Sequence, residues 1–364
     1  MNASDFFAQT YAEARAKFLA AADAAGLAVQ SHPHPLRGRD GEALAMDVAR
    51  FGPADAAAVL LVSSACHGVE GFCGSGVQAA LLADPAFHAA AQAADVAVLY
   101  VHALNPHGFS WWRRTTHENV DLNRNWQDFS QPLPENTAYD ELAHLLVPPT
   151  WPPAPEVDAA LADFVARRGA MALQTAVSGG QYRHPEGLFY GGRNPTWSRQ
   201  TLGHVLQDHG RRCDRLGWID VHTGLGPSGH GERINANRDD AAALARARAW
   251  WGAEVTSIHD GSSSSAVITG MIWGAVYGHC PQAEYTGIAM EYGTVPVSEA
   301  IHALRADQWL ENHPEASAEQ RRAIKQQIRD AFYTDTDRWK QRIVEQGLES
   351  ACQGLAGLAG NAGY

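Results

Sequence analysis

The sequence has no long apolar run, few charges and only a handful of scattered cysteines, and each shortage excludes a class of protein. Nowhere do consecutive apolar residues approach the roughly 18 that a membrane-spanning helix requires. The N-terminal region carries Asp5, Glu13, Arg15 and Lys17 within its apolar pattern, which a secretory signal peptide would not. Basic residues are outnumbered, 28 Lys plus Arg against 40 Asp plus Glu, for a net charge of −12. With no basic run either, no nucleic-acid partner is expected, because that affinity rests on cationic contacts to phosphate. The five cysteines (Cys66, Cys73, Cys213, Cys280 and Cys352) are odd in number and contain no C-x-x-C pair. A disulfide framework or cysteine zinc site is therefore not expected, and a reducing, cytoplasmic location is. No Gly-x-Ser-x-Gly elbow occurs, which speaks against a serine hydrolase. Cys66 reads as a packed side chain rather than a nucleophile.

What remains describes a globular chain. Hydrophobic residues make up 45% and charged ones 19% of 364 residues, enough for a sizeable core. Phe7, Tyr11, Phe18 and Ala22 share one face of a predicted helix over residues 4–25, and Gly26 ends it. Leu44, Met46 and Val48 alternate as in a strand, and short apolar runs at 57–62, 95–102, 170–178, 216–222 and 288–292 read as buried strands. The proline-rich stretch 147–155 excludes a helix or inner strand. Strands of the same kind follow it, so it reads as a surface excursion within one domain, residues 1–354. Residues from about 298 to 349 read as helices, and the Gly- and Ala-rich 355–364 as a loose tail. The pattern predicts an α/β fold with helices on both faces of a mixed, mostly parallel sheet.

Four stretches carry chemistry. After the run Ala57–Val62 comes Ser63-Ser64-Ala65-Cys66-His67-Gly68-Val69-Glu70-Gly71, then small and apolar residues at helical spacing through Leu82. His67 and Glu70 thus leave a strand end in a loop that opens a helix, where ligands sit in open α/β sheets. Imidazole and carboxylate three residues apart can turn toward one cation. With 17 His and 40 acidic residues in the chain, that spacing alone is weak and reads more readily as a polar loop with a helix-capping Glu. The second stretch joins Arg113 and Arg114 to Asn119-Val120-Asp121-Leu122-Asn123-Arg124-Asn125-Trp126. Guanidinium forks and amides outside any helical period either grip a carboxylate or pair with Asp locally. His222 stands at the end of the run 216–222, with Asp220 two residues earlier on the same side. Glu291 interrupts an apolar strand, where a carboxylate is costly unless paired or functional.

Taken in this order, the stretches resemble the zinc carboxypeptidases of the carboxypeptidase A type. Closer still is a bacterial branch of largely unassigned activity, which shares the loop Gly180–Gly187 and the turn His222-Thr223-Gly224-Leu225-Gly226-Pro227. The resemblance spans about residues 57 to 294. It implies a three-layer α/β/α fold with an eight-stranded sheet and one Zn2+ held by His67, Glu70 and His222. Glu291 would be the general base, and Arg114 would steady the oxyanion, with Arg113 competing for that place. Asn123 and Arg124 would hold the free carboxylate of a peptide or N-acyl amino acid. Digestive members also use a mobile Tyr, for which Tyr277 and Tyr285 are candidates. The same zinc site serves deacylases of N-acyl amino acids and amidases of murein peptides, and a binding module that has lost catalysis is a further alternative. Gly224-Leu225-Gly226-Pro227-Ser228-Gly229 matches G-x-G-x-x-G literally, but Pro227 and the lack of a following apolar period argue against a dinucleotide site.

Overall fold

The computed structural model describes residues 2–360. Seven strands form one sheet: β1 (Val29–Arg37), β2 (Ala43–Phe51), β3 (Ala58–Ser63), β4 (Val96–His102), β5 (Arg215–Ser228), β6 (Gly231–Asn235) and β7 (Glu284–Gly293). Their order is β1-β2-β4-β3-β5-β7-β6. The inner strands β4, β3, β5 and β7 run parallel, while β1, β2 and β6 join antiparallel at the flanks. The sheet is therefore mixed, with helices on both faces as predicted, but it has seven strands rather than eight.

Burial on both faces explains the inner strands. β3 and β4 are buried at every position, the state that continuous apolar runs favour in a parallel sheet. Alternate residues feed two cores: Leu60, Val62, Val98 and Tyr100 on one side, Val59, Leu61, Ala97 and Leu99 on the other. The first core is closed by helices Tyr11–Ala24, Gly71–Leu82 and Asp337–Leu358, the second by Trp197–Gly210 and Gly274–His279.

Four sequence expectations are corrected. Residues 170–178 form a helix, Ala170–Ser178, not a strand. Ala172, Leu173, Ala176 and Val177 face a third apolar cluster at helical spacing, while Met171 is exposed. Strand β1 was not expected; its Pro33 and Pro35 are tolerated because it pairs on one side only, at the sheet edge. The predicted tail is helical at its start, with Leu355 and Leu358 buried, and residues 361–364 lie outside the described part. The helix expected over 4–25 is a short turn, Ala3–Phe6, followed by Tyr11–Ala24. Among the described residues no helix is long and apolar enough to cross a membrane.

After β3 the chain moves to β4 on one side and later returns to β5 on the other. The crevice at the carboxyl ends of β3 and β5 is thus a topological switch point, where open α/β sheets bind ligands. Ser63 of β3 pairs in register with Asp220 of β5, and His222 of β5 with Glu291 of β7.

Candidate metal centre and active-site cavity

His67 and Glu70 are placed by a turn that is itself held from outside. Past Ser63 the chain bends through Ala65, at φ 58°, into the short 3-10 turn Gly68–Glu70 that starts helix Gly71–Leu82. Gly68 and Val69 donate backbone N–H bonds to the carbonyls of Arg114 and Arg113, at 3.1 and 2.8 Å. At Gly68 the two backbones touch: an added Cβ would lie 2.0 Å from the Gly108 carbonyl carbon, so only glycine fits. The same contact delivers Arg114 to the turn that carries His67 and Glu70.

The three residues proposed as ligands converge. His67 Nδ1 lies 2.9 Å from Glu70 Oε1, His222 Nδ1 3.2 Å from Glu70 Oε2, and the two Nδ1 atoms 3.3 Å apart. Donors arranged tetrahedrally around zinc at about 2.1 Å would stand about 3.4 Å from one another. The far nitrogens are already engaged: His67 Nε2 is 3.1 Å from Asp121 and His222 Nε2 is 2.7 Å from Asp220. On His222 the Asp220 carboxylate accepts from Nε2 and turns Nδ1 toward the common point, the orientation metal-bound imidazoles need, while His67 Nε2 lies between Asp121 and the Arg114 guanidinium, whose Nη2 is 2.8 Å away. Asp220 is itself fixed by Ser63 Oγ–H at 2.5 Å, and Ser63 accepts the Trp218 indole N–H at 2.7 Å. The donor set therefore fits a divalent cation.

A second grouping, Cys66, Asp220 and His222, is also compact. It fits less well. Burial and the nearby Asp220 push the Cys66 thiol up, and Asp220 is committed to the His222 ring.

The charges are strongly coupled. Burial opposes ionisation of Glu70, but His67 and His222, with a Thr223 N–H donated at 3.1 Å, hold its carboxyl far below the usual range. Burial also opposes the charge on His222, yet Asp220 and Glu70 raise its pKa well above that of free imidazole. Glu291 goes the other way: burial first, then the Glu70 carboxylate, push it from 4.5 to about 8. Its Oε1 accepts the Leu225 N–H at 3.1 Å.

Arg114 donates from Nε to Asp121 at 2.9 Å, from Nη1 to Glu70 at 3.3 Å and from Nη2 to His67 Nε2 at 2.8 Å. It lines the cavity together with His67, Glu70, His222, Glu291, Asn123 and Arg124. Asn123 accepts the Ile272 N–H on Oδ1 at 3.0 Å, so its NH2 is the end turned to the cavity. Arg124 is clamped by backbone carbonyls, Nε on Ser178 at 3.0 Å and Nη1 on Asn123 at 2.7 Å.

Arg113 does not line the cavity, contrary to the role considered for it. Its guanidinium turns to Asp307 at 3.4 Å, Glu311 at 3.6 Å and Asn119 at 2.9 Å, an internal ion pair. Tyr277 and Tyr285 are also outside the cavity, stacked edge to face 5.5 Å apart. The glycine-rich segment 224–229 runs from β5 toward β6, with Gly224, Gly226 and Gly229 at positive φ, and no helix follows it. Sequence reading gave no role to Asp121, Ser63, Trp218 or Phe189. Asp121 stood inside the Asn-rich string, but nothing in its spacing points to His67. Phe189, at φ 52°, packs its ring 4.8 Å from the Arg114 guanidinium carbon and 5.5 Å from that of Arg124.

Comparison with solved structures finds distant likenesses. Carboxypeptidase A from Helicoverpa armigera shares 12% identity at a TM-score of 0.43, covering 94% of this chain and 73% of that one. A metallo-carboxypeptidase from Burkholderia cenocepacia shares 14% at 0.36, covering 90% and 69%. The murein-tripeptide amidase MpaA from Escherichia coli O157 shares 14% at 0.33, covering 77% and 91%. No curated protein matches. A family model matches residues 7–346, nearly the whole chain, and the protein belongs to that family, described as "Protein of unknown function (DUF2817)".

Proposed function

We propose that the protein is a zinc-dependent hydrolase of an amide bond next to a free carboxylate, a metallocarboxypeptidase-like activity. One observation carries this reading: two imidazole Nδ1 atoms and the Glu70 carboxylate face one point, with a second buried acidic side chain, Glu291, on the neighbouring strand. His67, Glu70 and His222 would hold one Zn2+, a His₂Glu set that leaves room for water. When bound, zinc supplies Lewis acidity, lowering the pKa of water and polarising a carbonyl.

The chain's own residues do the rest. Glu291, buried on the strand beside His222, takes a proton from the attacking water and passes it to the departing nitrogen. Arg114 donates to the oxygen that becomes negative. Asn123 and Arg124 bind the substrate's free carboxylate and so fix which amide meets the metal. The cysteines are all free, which supports a cytoplasmic place of work.

Deacylation of N-acyl amino acids and hydrolysis of murein peptides use the same parts and differ in what lies on either side of the amide. The test is zinc reconstitution with anomalous scattering at the zinc edge in a crystal soaked with a peptide-like inhibitor, followed by amine-release assays on the three substrate classes. One zinc at residues 67, 70 and 222, with release from at least one class, is the expected result. A chain that takes up no zinc, or hydrolyses none of them when loaded, overturns the proposal.

A further inference from the structure

We propose that Phe189 is a positioning residue for the two arginines of the cavity: its ring holds the Arg114 and Arg124 guanidinium groups at a fixed spacing, and the loop over residues 180–192 is built to place it there. The inference rests on the roles given above to Arg114 and Arg124 and goes beyond them.

Nothing in the proposed chemistry calls for this loop, yet it is closely built. Gln181 organises it from within. Its Oε1 accepts the N–H groups of Arg183 and His184 at 3.0 and 2.8 Å, and its Nε2 donates to the carbonyls of His184 and Leu188 at 2.7 and 3.2 Å. Its own N–H donates to the Phe189 carbonyl at 3.2 Å, and its carbonyl accepts the Gly191 N–H at 2.8 Å. From outside, the Asp121 N–H donates to the Tyr190 carbonyl and the Asn125 side-chain amide to the Gly191 carbonyl, both at 2.8 Å. Asp121 and Asn125 flank Arg124 in the chain, so loop and arginine form one unit. The Tyr182 hydroxyl donates to the Arg124 carbonyl at 2.7 Å. Gly180, at φ 102°, lies against the arginine stem, where an added Cβ would stand 2.8 Å from Arg124 Cδ.

These bonds converge on one unfavourable residue. Phe189 has φ 52°, a conformation that bulky side chains rarely adopt. Strain of this kind persists where the surroundings over-determine it, and it gathers at ligand clamps. What the conformation delivers is a ring in the cavity wall, 6% exposed, with the guanidinium carbons of Arg114 and Arg124 at 4.8 and 5.5 Å from its centroid. Both lie within the roughly 6 Å over which an aromatic face attracts a cation. Two cations in one buried cavity need such a partner. Burial pushes the Arg124 guanidinium below its usual range, Asp121 opposes this, and the charge of Arg114 works against it again. A carboxylate in place of the ring would compete with the substrate's carboxylate for the same N–H groups. The ring attracts both cations and leaves those groups free.

The experiment uses N-acetyl-Ala-Phe and its C-terminal amide, titrated calorimetrically into the metal-free protein. Wild type is expected to bind the acid more tightly than the amide. Phe189→Leu keeps an apolar side chain on the same backbone, and replacement of Phe189 by pentafluorophenylalanine keeps the ring's shape while reversing the charge of its face. Both should weaken acid binding about tenfold, the scale of desolvated cation–π contacts, and leave amide binding unchanged. In the zinc-loaded forms KM for the acid should rise and kcat should fall, because both arginines lose the ring. In an Arg124→Gln background Phe189→Leu should no longer affect acid binding, since the interaction it removes is already absent. Undiminished acid binding in both Phe189 variants, or an equal loss for acid and amide, overturns this inference and leaves the roles of the arginines standing. Equal binding of acid and amide by wild type overturns the carboxylate clamp itself.

Discussion

Replacing Glu291 by Gln should make the metal-free protein more stable and should suppress the hydrolysis proposed for the zinc-loaded one. Glu291 is buried beside a second carboxylate, Glu70, and holds its proton to about pH 8 in the fold against 4.5 when free. In the unfolded chain the same group ionises near 4.5. Below that pH both states are protonated and folding incurs no penalty. As the pH rises toward 8 only the unfolded state releases the proton, and stability is lost. At about 1.36 kcal/mol per unit, the loss is roughly 3 kcal/mol at pH 7 and roughly 5 kcal/mol above pH 8. Gln keeps an oxygen for the Leu225 N–H and has no proton to lose. The variant should therefore match the wild type within about 1 kcal/mol at pH 5 and exceed it by roughly 3 kcal/mol at pH 7. For a chain of this length that corresponds to a melting point higher by about 4 °C.

The assay is urea unfolding of both metal-free proteins at pH 5, 7 and 8.5. Comparing the two at each pH removes the part of the His222 and Glu70 titration that does not depend on the charge at position 291. Turnover of the zinc-loaded variant should drop by about 10²–10⁴, the contribution of a general base. A stability difference that stays constant with pH would refute the argument from burial and from Glu70. Undiminished turnover would remove Glu291 from the chemistry.

Other changes separate the support of the site from its chemistry. Ser63→Ala strips the partner from the Trp218 indole and from one oxygen of Asp220. It should cost roughly 1–3 kcal/mol of stability and about tenfold in zinc affinity, read by chelator competition. Arg113→Gln breaks the pairing with Asp307 and Glu311, although Lys325 still reaches both at 2.6 and 2.9 Å. Its cost should sit at the low end of roughly 3–5 kcal/mol in urea unfolding, with KM unchanged. Arg114→Gln should instead lower kcat about 10²-fold. Gly68→Ala drives a methyl group to 2.0 Å from the Gly108 carbonyl carbon and 2.2 Å from the Phe109 nitrogen. The turn must move, and the zinc content of the reconstituted protein should fall well below one per chain.

Much of the fold was legible because burial on both faces leaves a plain trace. Runs such as Val59–Val62 and Val96–Val101 can only be buried, and their flanks carry turn residues. The helix Ala170–Ser178 was misread because a nine-residue apolar run fits either period. Its outward Met171 and inward Ala172, Leu173, Ala176 and Val177 settle the matter only once the third apolar cluster is seen. β1 and β6 escaped notice for the opposite reason. At the sheet edges strands need little apolar content: β1 is exposed or half-buried at eight of nine positions, all but His34.

For the site, residue types and strand period took the reading as far as His67, Glu70, His222 and Glu291, and even to Asp220, which shares a face with His222. They stopped at contacts made between distant segments. Arg113 and Arg114 are neighbours on an irregular backbone, and nothing local decides which guanidinium faces the cavity. That choice is made by Asp307 and Glu311, nearly two hundred residues later, which draw Arg113 into an ion pair and leave Arg114 to Glu70 and Asp121. The same holds for His67, whose Nδ1 is turned toward Glu70 and His222 while Asp121 and Arg114, 54 and 47 residues away, engage Nε2. The residue types at the candidate site are thus a local property of the sequence, and their orientation is a property of the tertiary fold. Substitutions at Asp121 or Asp307 should therefore act on the site without touching substrate.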